Sequence, residues 1–297
     1  MRRKENCEAE NTPHPSPLTS HGILYIVATP IGNLEDMTFR AVRTLKEVDL
    51  IAAEDTRHSR KLLNHFGIVK HLTSYFDHNK TLKGKYLLDK LREGASVALI
   101  SDAGTPCISD PGYQLVRDAV AAGITVVPIP GASATVAALS ASGLTTDSFT
   151  FAGFLPSRQG KRRERLAELK DEGRVVVFYE APHRLIAALT DLREICGDRQ
   201  VVVARELTKL YEEFIRGSVT EALASFAERE VKGEVVLLVA PAVEAPLAID
   251  PDANLARYLA DESLSFRDAV DRVAQESGLP RREVYARALV LKEEKGL

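Results

Sequence analysis

The sequence predicts an α/β protein, with a mostly parallel sheet in a first domain, a mixed sheet in a second, and a small helical segment at the C-terminal end. Two observations carry that prediction. Short apolar runs such as Ile23-Leu24-Tyr25-Ile26-Val27, Leu50-Ile51-Ala52-Ala53 and Val97-Ala98-Leu99-Ile100 alternate with stretches whose apolar residues recur at helical spacing. A strand, helix, strand alternation of this kind needs parallel pairing under helical cover. In addition, three strand runs end in proline and glycine, at Ala28-Thr29-Pro30-Ile31-Gly32-Asn33, Ser101-Asp102-Ala103-Gly104-Thr105-Pro106 and Pro130-Gly131-Ala132-Ser133. Ligands of parallel sheets lie beyond the carboxyl ends of the strands, where the backbone turns sharply and approaches them closely. A length of 297 residues agrees, since it suffices for about two domains and an appendage.

Residues 1–21 combine Arg2, Arg3 and Lys4 with Pro13, Pro15 and Pro17 and hold no apolar core, so they read as a disordered tail rather than a signal peptide. The first domain is expected over 22–147. Its opening strand, 23–27, is followed by Phe39, Val42 and Leu45 at helical spacing behind an N-cap candidate at Thr38, then by a strand at 50–53. The polar run Glu54-Asp55-Thr56-Arg57-His58-Ser59-Arg60 leads into a short helix marked by Leu62, Leu63 and Phe66. A strand is expected at 72–76 and a helix through Leu82, Tyr86, Leu87 and Leu91. Strand 97–100 opens the central loop, after which Tyr113, Leu115, Val116, Ala119 and Val120 outline a helix and 125–129 returns to the sheet. The pattern changes at 145–148. The second domain, 148–240, should hold strands at 149–153, 175–179, 201–204, 213–216 and 234–239, with helices at 161–170, through Leu185, Ile186, Leu189 and Leu192, and at 219–228. Some of its pairing is antiparallel, because 206–212 is too short for a crossover helix. Pro241, Pro246 and Pro251 mark a linker over 241–252, and three short helices fill 253–297, with Ser265 and Pro280 as start signals.

Hydrophobic residues at 45% and charged residues at 27% are ordinary for a globular chain with a proper core. The best apolar stretch, 119–129, is broken by Gly123 and Pro128 and falls short of the ~18 residues of a membrane span, so no membrane partner is expected. Cys7, Cys107 and Cys196 have no paired spacing, which argues against a disulfide framework or zinc site and for a reducing, cytoplasmic setting. A net charge of -3 leaves no global nucleic-acid footprint. Locally, however, Arg158, Lys161, Arg162, Arg163 and Arg165 crowd one segment and form a candidate RNA-binding patch, with a solvated helix face as the plain alternative.

Neither a glycine-rich phosphate loop nor a zinc-protease helix motif is present. Gly131-Ala132-Ser133-Ala134-Thr135 approaches a nucleophile elbow but lacks the final glycine that lets strand and helix come close. With no phosphate cradle, the loops suit an uncharged or zwitterionic ligand held by backbone groups and one carboxylate, and Asp102 stands at the strand end. Cys107 has no activating partner nearby in sequence and reads as a small loop residue.

Taken together, Gly22-x-Leu24-Tyr25-x-Val27 running on through Asn33-Leu34-Glu35-Asp36, Ala53-Glu54-Asp55-Thr56-Arg57 and the two later loops resemble the tetrapyrrole-methylase superfamily. Glu180-Ala181-Pro182-His183-Arg184 and Ala204-Arg205-Glu206-Leu207-Thr208-Lys209 resemble an RNA-methylating branch of it, and the likeness covers about residues 22 to 240. This resemblance implies a two-domain α/β methylase fold with S-adenosylmethionine in the cleft between the domains. It also implies 2'-O-methylation of a cytidine ribose in the decoding region of 16S rRNA, as RNA or within the small ribosomal subunit, by a homodimer. Carried over residue by residue, Pro30, Asp102, Ala103, Gly104 and Ser133 fall on cofactor-cleft motifs, with Phe154 a further cofactor-binding candidate at the domain junction.

Methyl transfer is an in-line attack on a sulfonium, so the protein must align two reactants and help remove a proton from a weakly acidic hydroxyl. No metal is required. Glu54/Asp55/Arg57, His78/Asn79, Glu180/His183 and Arg205/Glu206 each follow a strand end. The catalytic expectation is that His183 takes the proton, Glu180 orients it, and Asp55 and Arg57 hold the nucleotide. A helix cap at His183 and structural ion pairs for the acid and arginine pairs are the alternatives. Two other functions stay open at this point, a methylase of a small tetrapyrrole and a non-catalytic ribosome-assembly factor.

Overall fold

The computed structural model describes residues 22–76, 79–242, 251–261 and 264–295, so the N-terminal tail, His78 and most of the proline-marked linker lie outside the described residues. The chain divides into two compact units, Met1–Pro241 and Ala242–Leu297.

The first sheet contains β1 (Ile23–Val27), β2 (Leu50–Ala53), β3 (Leu72–Ser74), β4 (Val97–Ile100) and β5 (Thr125–Ile129), all parallel, in the order β3-β2-β4-β1-β5. Helices cover both faces, which is why every residue of β2 and β4 is buried and apolar. On one face α1 (Phe39–Glu47) and α2 (Thr56–His65) bring Ala41, Leu45 and Leu63 onto Tyr25, Ile51 and Ile100. On the other, α3 (Lys80–Arg92) and α4 (Tyr113–Ala121) set Leu87, Leu91 and Leu115 against Leu24, Ala52 and Leu99. The start of α1 is local chemistry, since the Thr38 hydroxyl accepts a hydrogen bond from Ala41 N at 3.1 Å. Pro128 is tolerated because β5 is an edge strand. Strand β3 stops short of the expected Phe76, whose N–H goes to the Asn79 side chain at 2.9 Å instead of the ladder.

The second sheet is mixed, as expected. It contains β6 (Phe149–Phe154), β7 (Val175–Glu180), β8 (Gln200–Arg205), β9 (Glu213–Ser218) and β10 (Val235–Val239) in the order β6-β7-β10-β8-β9, with only β6 and β7 parallel. One face is covered by α6 (Gln159–Glu168), α7 (Leu185–Cys196) and α8 (Val219–Ser225), which pack Leu166, Leu189 and Ala222 onto Phe178, Val203 and Leu237. The opposite face is covered by α5 (Ala134–Ser142), whose Ala138 and Leu139 meet Val177, Ala204 and Val236. A helix that precedes the 147/148 boundary therefore packs on the sheet that follows it, and the strand ends of the two sheets are brought to one cleft.

Among the described residues the C-terminal unit holds three helices, α9 (Pro251–Leu259), α10 (Phe266–Ser277) and α11 (Arg281–Lys295), around Leu255, Val270, Val273, Val284 and Ala288. Proline at the first position of α9 costs no hydrogen bond, so this helix takes in two residues that the sequence assigns to the linker. Ser265 caps α10 by accepting from Asp268 N. Among the described residues no helix is long and apolar enough to cross a membrane.

Candidate active site

The three proline- and glycine-bearing loops are tied to one another. Beyond β4 the chain bends back so that Thr29 N donates to Gly104 O at 2.9 Å and Gly104 N to Thr29 O at 3.0 Å, an isolated antiparallel bridge between otherwise parallel segments. Thr105 Oγ1 then donates to Ala132 O at 3.3 Å, which joins the third loop. Gly104 has φ +79°, and a Cβ there would stand 3.4 Å from Ile31 Cγ2. Gly104→Ala is therefore expected to cost about 1–2 kcal/mol in urea unfolding, the usual penalty for a left-handed non-glycine residue. A loss under a few tenths would mean that the bridge is slack.

After Gly104 the loop is held in a conformation that side chains rarely adopt, with Cys107 at φ +71° and Ser109 at φ +66°. Such residues persist only where the surroundings over-determine them. The result is that Ile108, Ser109 and Asp110 lie on the wall of a cavity of about 300 Å³. The first sheet's loops also supply Ile31, Ala103, Gly104 and Thr105; Ser133 and Ala134 come from the start of α5. The second sheet contributes Phe154, Tyr179 and Glu180 from its strand ends, then Leu207, Val235 and Val236. Mostly apolar walls with a few polar groups at the small end of the ligand-pocket range describe a small-molecule site. Tyr179 is fixed by a hydrogen bond from Thr135 Oγ1 at 2.9 Å and by an edge contact with Phe154 at 5.6 Å.

Two carboxylates on that wall are out of the ordinary. Burial, with the negative charges of Glu54 and Asp102 adding to it, pushes Asp110 up to about 6, against a hydrogen bond from Ser101 that works the other way. Burial also raises Glu180, opposed by the Ala181 N–H at 2.8 Å and by Arg184 at 3.1 Å. The thiol of Cys107 is pushed up to about 11 by burial, which suits a small loop residue rather than a nucleophile.

Of the residues singled out by sequence, Ala103, Gly104, Ser133, Phe154 and Glu180 share the cavity wall. Others stand elsewhere. Pro30 is buried beside Ile31 and does not line the cavity. The Asp102 side chain accepts from Asp55 N at 3.1 Å, so it anchors the start of α2. Asp55 caps that helix through Arg57 N at 2.8 Å, and the Arg57 guanidinium at 3.1 Å holds its carboxyl below the usual range. His183 is exposed on the 3-10 turn Pro182–Arg184, off the wall, while Glu180 binds Ala181 N and Arg184; the expected His183 and Glu180 pair does not form. In the basic segment, Arg162 is 5% exposed and its guanidinium meets Asp191 Oδ2 at 2.6 Å. Arg163 pairs with Glu194 at 2.6 Å and Arg165 with Glu168 at 2.7 Å, which leaves Arg158 and Lys161 as its exposed cations without an ion-pair partner among the described residues. Sequence reasoning missed Asp110, although a carboxylate beside Pro111-Gly112 in an apolar loop is a legible signal. It also missed Tyr179 and Val235, which read only as strand residues.

Two family models match the chain, the tetrapyrrole (corrin/porphyrin) methylases over residues 23–223 and the RsmI C-terminal HTH domain over residues 245–292. The chain belongs to the tetrapyrrole methylase family. Within it, this methylase groups with relatives named ribosomal RNA small subunit methyltransferase I. The one from Halalkalibacterium halodurans is 52% identical over 273 residues, covering 89% of this chain and 93% of the relative. That of Synechocystis sp. is 51% identical, covering 91% and 98%, and that of Escherichia coli O157:H7 is 48% identical, covering 93% and 98%. Among solved structures, a cobalt precorrin-4 methyltransferase of cobalamin biosynthesis shares the fold with a TM-score of 0.57 at 18% identity, covering 76% of the methylase and 98% of that chain. A diphthine synthase does so with a TM-score of 0.57 at 14% identity, covering 74% and 90%.

Proposed function

We propose that this methylase transfers a methyl group from S-adenosylmethionine to the 2'-hydroxyl of a cytidine in the decoding region of 16S rRNA. It acts in the cytoplasm as a homodimer, on the RNA or on the small ribosomal subunit. The observation that carries the reaction class is the cavity between the two sheets, in which three carboxylates, Asp110, Glu180 and Glu234, stand among mostly apolar walls. The donor set fits the cofactor. Ile31, Ile108, Leu207 and Val236 suit an adenine, Phe154 offers an aromatic face that is 53% exposed, and the carboxylates favour a cation. When bound, S-adenosylmethionine supplies an electrophilic methyl group on a sulfonium. The protein's own task is to align the ribose oxygen and to accept its proton as the new C–O bond forms and the C–S bond breaks. Asp110 lies on the wall, and its raised pKa makes its ionised carboxylate a stronger base, so it takes the proton. Glu180, tethered by Arg184, sets the charge of the opposite side.

Incubating the enzyme with labelled S-adenosylmethionine and small ribosomal subunits or 16S rRNA tests the reading. The expected product is one methylated ribose on a cytidine, located by mass spectrometry of nuclease fragments. Label on a base, or transfer to a uroporphyrinogen-type tetrapyrrole with none to RNA, would refute it.

A further inference from the structure

We infer that the exposed face of α2 is the enzyme's phosphate-contacting surface for its RNA substrate, an assignment that rests on the reading of that substrate as RNA. With a net charge of -3 on the chain, any attraction for a polyanion must be local. Helix α2 carries Arg57, His58, Arg60, Lys61 and His65, and no aspartate or glutamate occurs from Thr56 through Lys70. Its inward face is Ser59 and Leu63. Arg57, Arg60 and Lys61, at i, i+3 and i+4, share the outward face.

The basic helix α6 has comparable composition but a different state. Three of its arginines are matched by Asp191 and Glu194 on α7 and by Glu168 on α6 itself, which leaves Arg158 and Lys161, at the start of the segment, as its exposed cations without an ion-pair partner among the described residues. On α2, Arg60 and Lys61 are exposed and have no ion-pair partner among the described residues, and the Arg57 side chain, 90% exposed, meets only Asp55. Like charges at i and i+4 disfavour the helix they sit on, so the repulsion between Arg57 and Lys61 opposes folding and is offset only at Arg57, by its pair with Asp55. A polyanion would reverse that sign.

Position supports the same assignment. The helix begins at Asp55, whose N–H binds Asp102, and the next residue, Ala103, lines the cavity. Ten residues then extend for about 15 Å from that point. An RNA whose reactive ribose enters the cavity has flanking phosphates that must lie on the surface around it. These contacts carry no base preference, so they position the strand without selecting the nucleotide.

The test uses the full chain and a 16S rRNA transcript, with affinity measured across a salt series for the wild type, Arg60→Glu/Lys61→Glu and Arg165→Glu. Loss of two phosphate contacts should weaken binding by about tenfold at low salt and flatten the dependence of log K on log salt by about 1.4, at ~0.7 per single-stranded contact. Arg165→Glu should leave the slope unchanged. S-adenosylmethionine affinity, measured by calorimetry, should be the same in all three proteins. If the double variant is unstable, Arg60→Gln/Lys61→Gln makes the same measurement with a smaller charge change. An unaltered slope in a folded variant, with wild-type binding intact, would overturn the role of α2 alone. A wild-type enzyme that binds S-adenosylmethionine but no RNA would overturn the substrate reading as well.

Discussion

Asp191→Ala should lower the stability of the enzyme by about 3–5 kcal/mol, the scale for removing one partner of a buried ion pair. Asp191 is 1% exposed, and its carboxylate accepts from Arg162 Nε at 2.7 Å and from Gln159 Nε2 at 3.1 Å. Arg162 is itself buried, so truncation strands a guanidinium with no solvent and one remaining hydrogen bond, to Ser157 O at 3.3 Å. The loss is large against a typical total of about 5–15 kcal/mol. Removing both charges with groups of similar volume, as in Arg162→Met/Asp191→Leu, should recover most of it, because the cost lies in the unpaired charge rather than in the missing attraction. Urea unfolding decides the matter. A loss below ~1 kcal/mol for Asp191→Ala would mean that water reaches the pair.

Asp110→Asn should reduce turnover by about a hundredfold or more, the scale for loss of a general base, while the cofactor still binds. Turnover of the wild type should rise with pH through about 6, where Asp110 loses its proton, and then level off. The variant should show no such rise. Stability moves the other way. A carboxyl whose pKa is raised in the folded state binds its proton more tightly there, so folding loses stability as pH climbs from about 4 through about 6. Asp110→Asn should accordingly gain on the order of 1–3 kcal/mol at pH 7.5 and nothing at pH 4, which denaturant titration at the two pH values would show. Wild-type turnover in a stable Asn variant would place the proton acceptor elsewhere.

Much of this enzyme is legible without coordinates, because the information is local. The strand at Ile23–Val27, the cap at Thr38 and the cap at Ser265 depend on side chains within a few residues of one another, and alternating strands and helices of that length leave a parallel sheet as the remaining solution. The meeting of the three loops follows from the same logic, since parallel strands end on one edge. What only the tertiary structure decided is which polar side chains are free. Asp102 and Asp110 stand in one loop and look alike in sequence, yet the bridge between Thr29 and Gly104 and the left-handed turns at Cys107 and Ser109 send the first to the backbone of Asp55 and the second to the cavity. The basic runs on α2 and α6 also look alike. Asp191 and Glu194 belong to another helix, and only packing of α6 on α7 pairs Arg162 and Arg163 of one run while Arg60 and Lys61 of the other stay exposed. Charge and periodicity are properties of residues, whereas desolvation and pairing are properties of neighbours that the chain brings together from a distance.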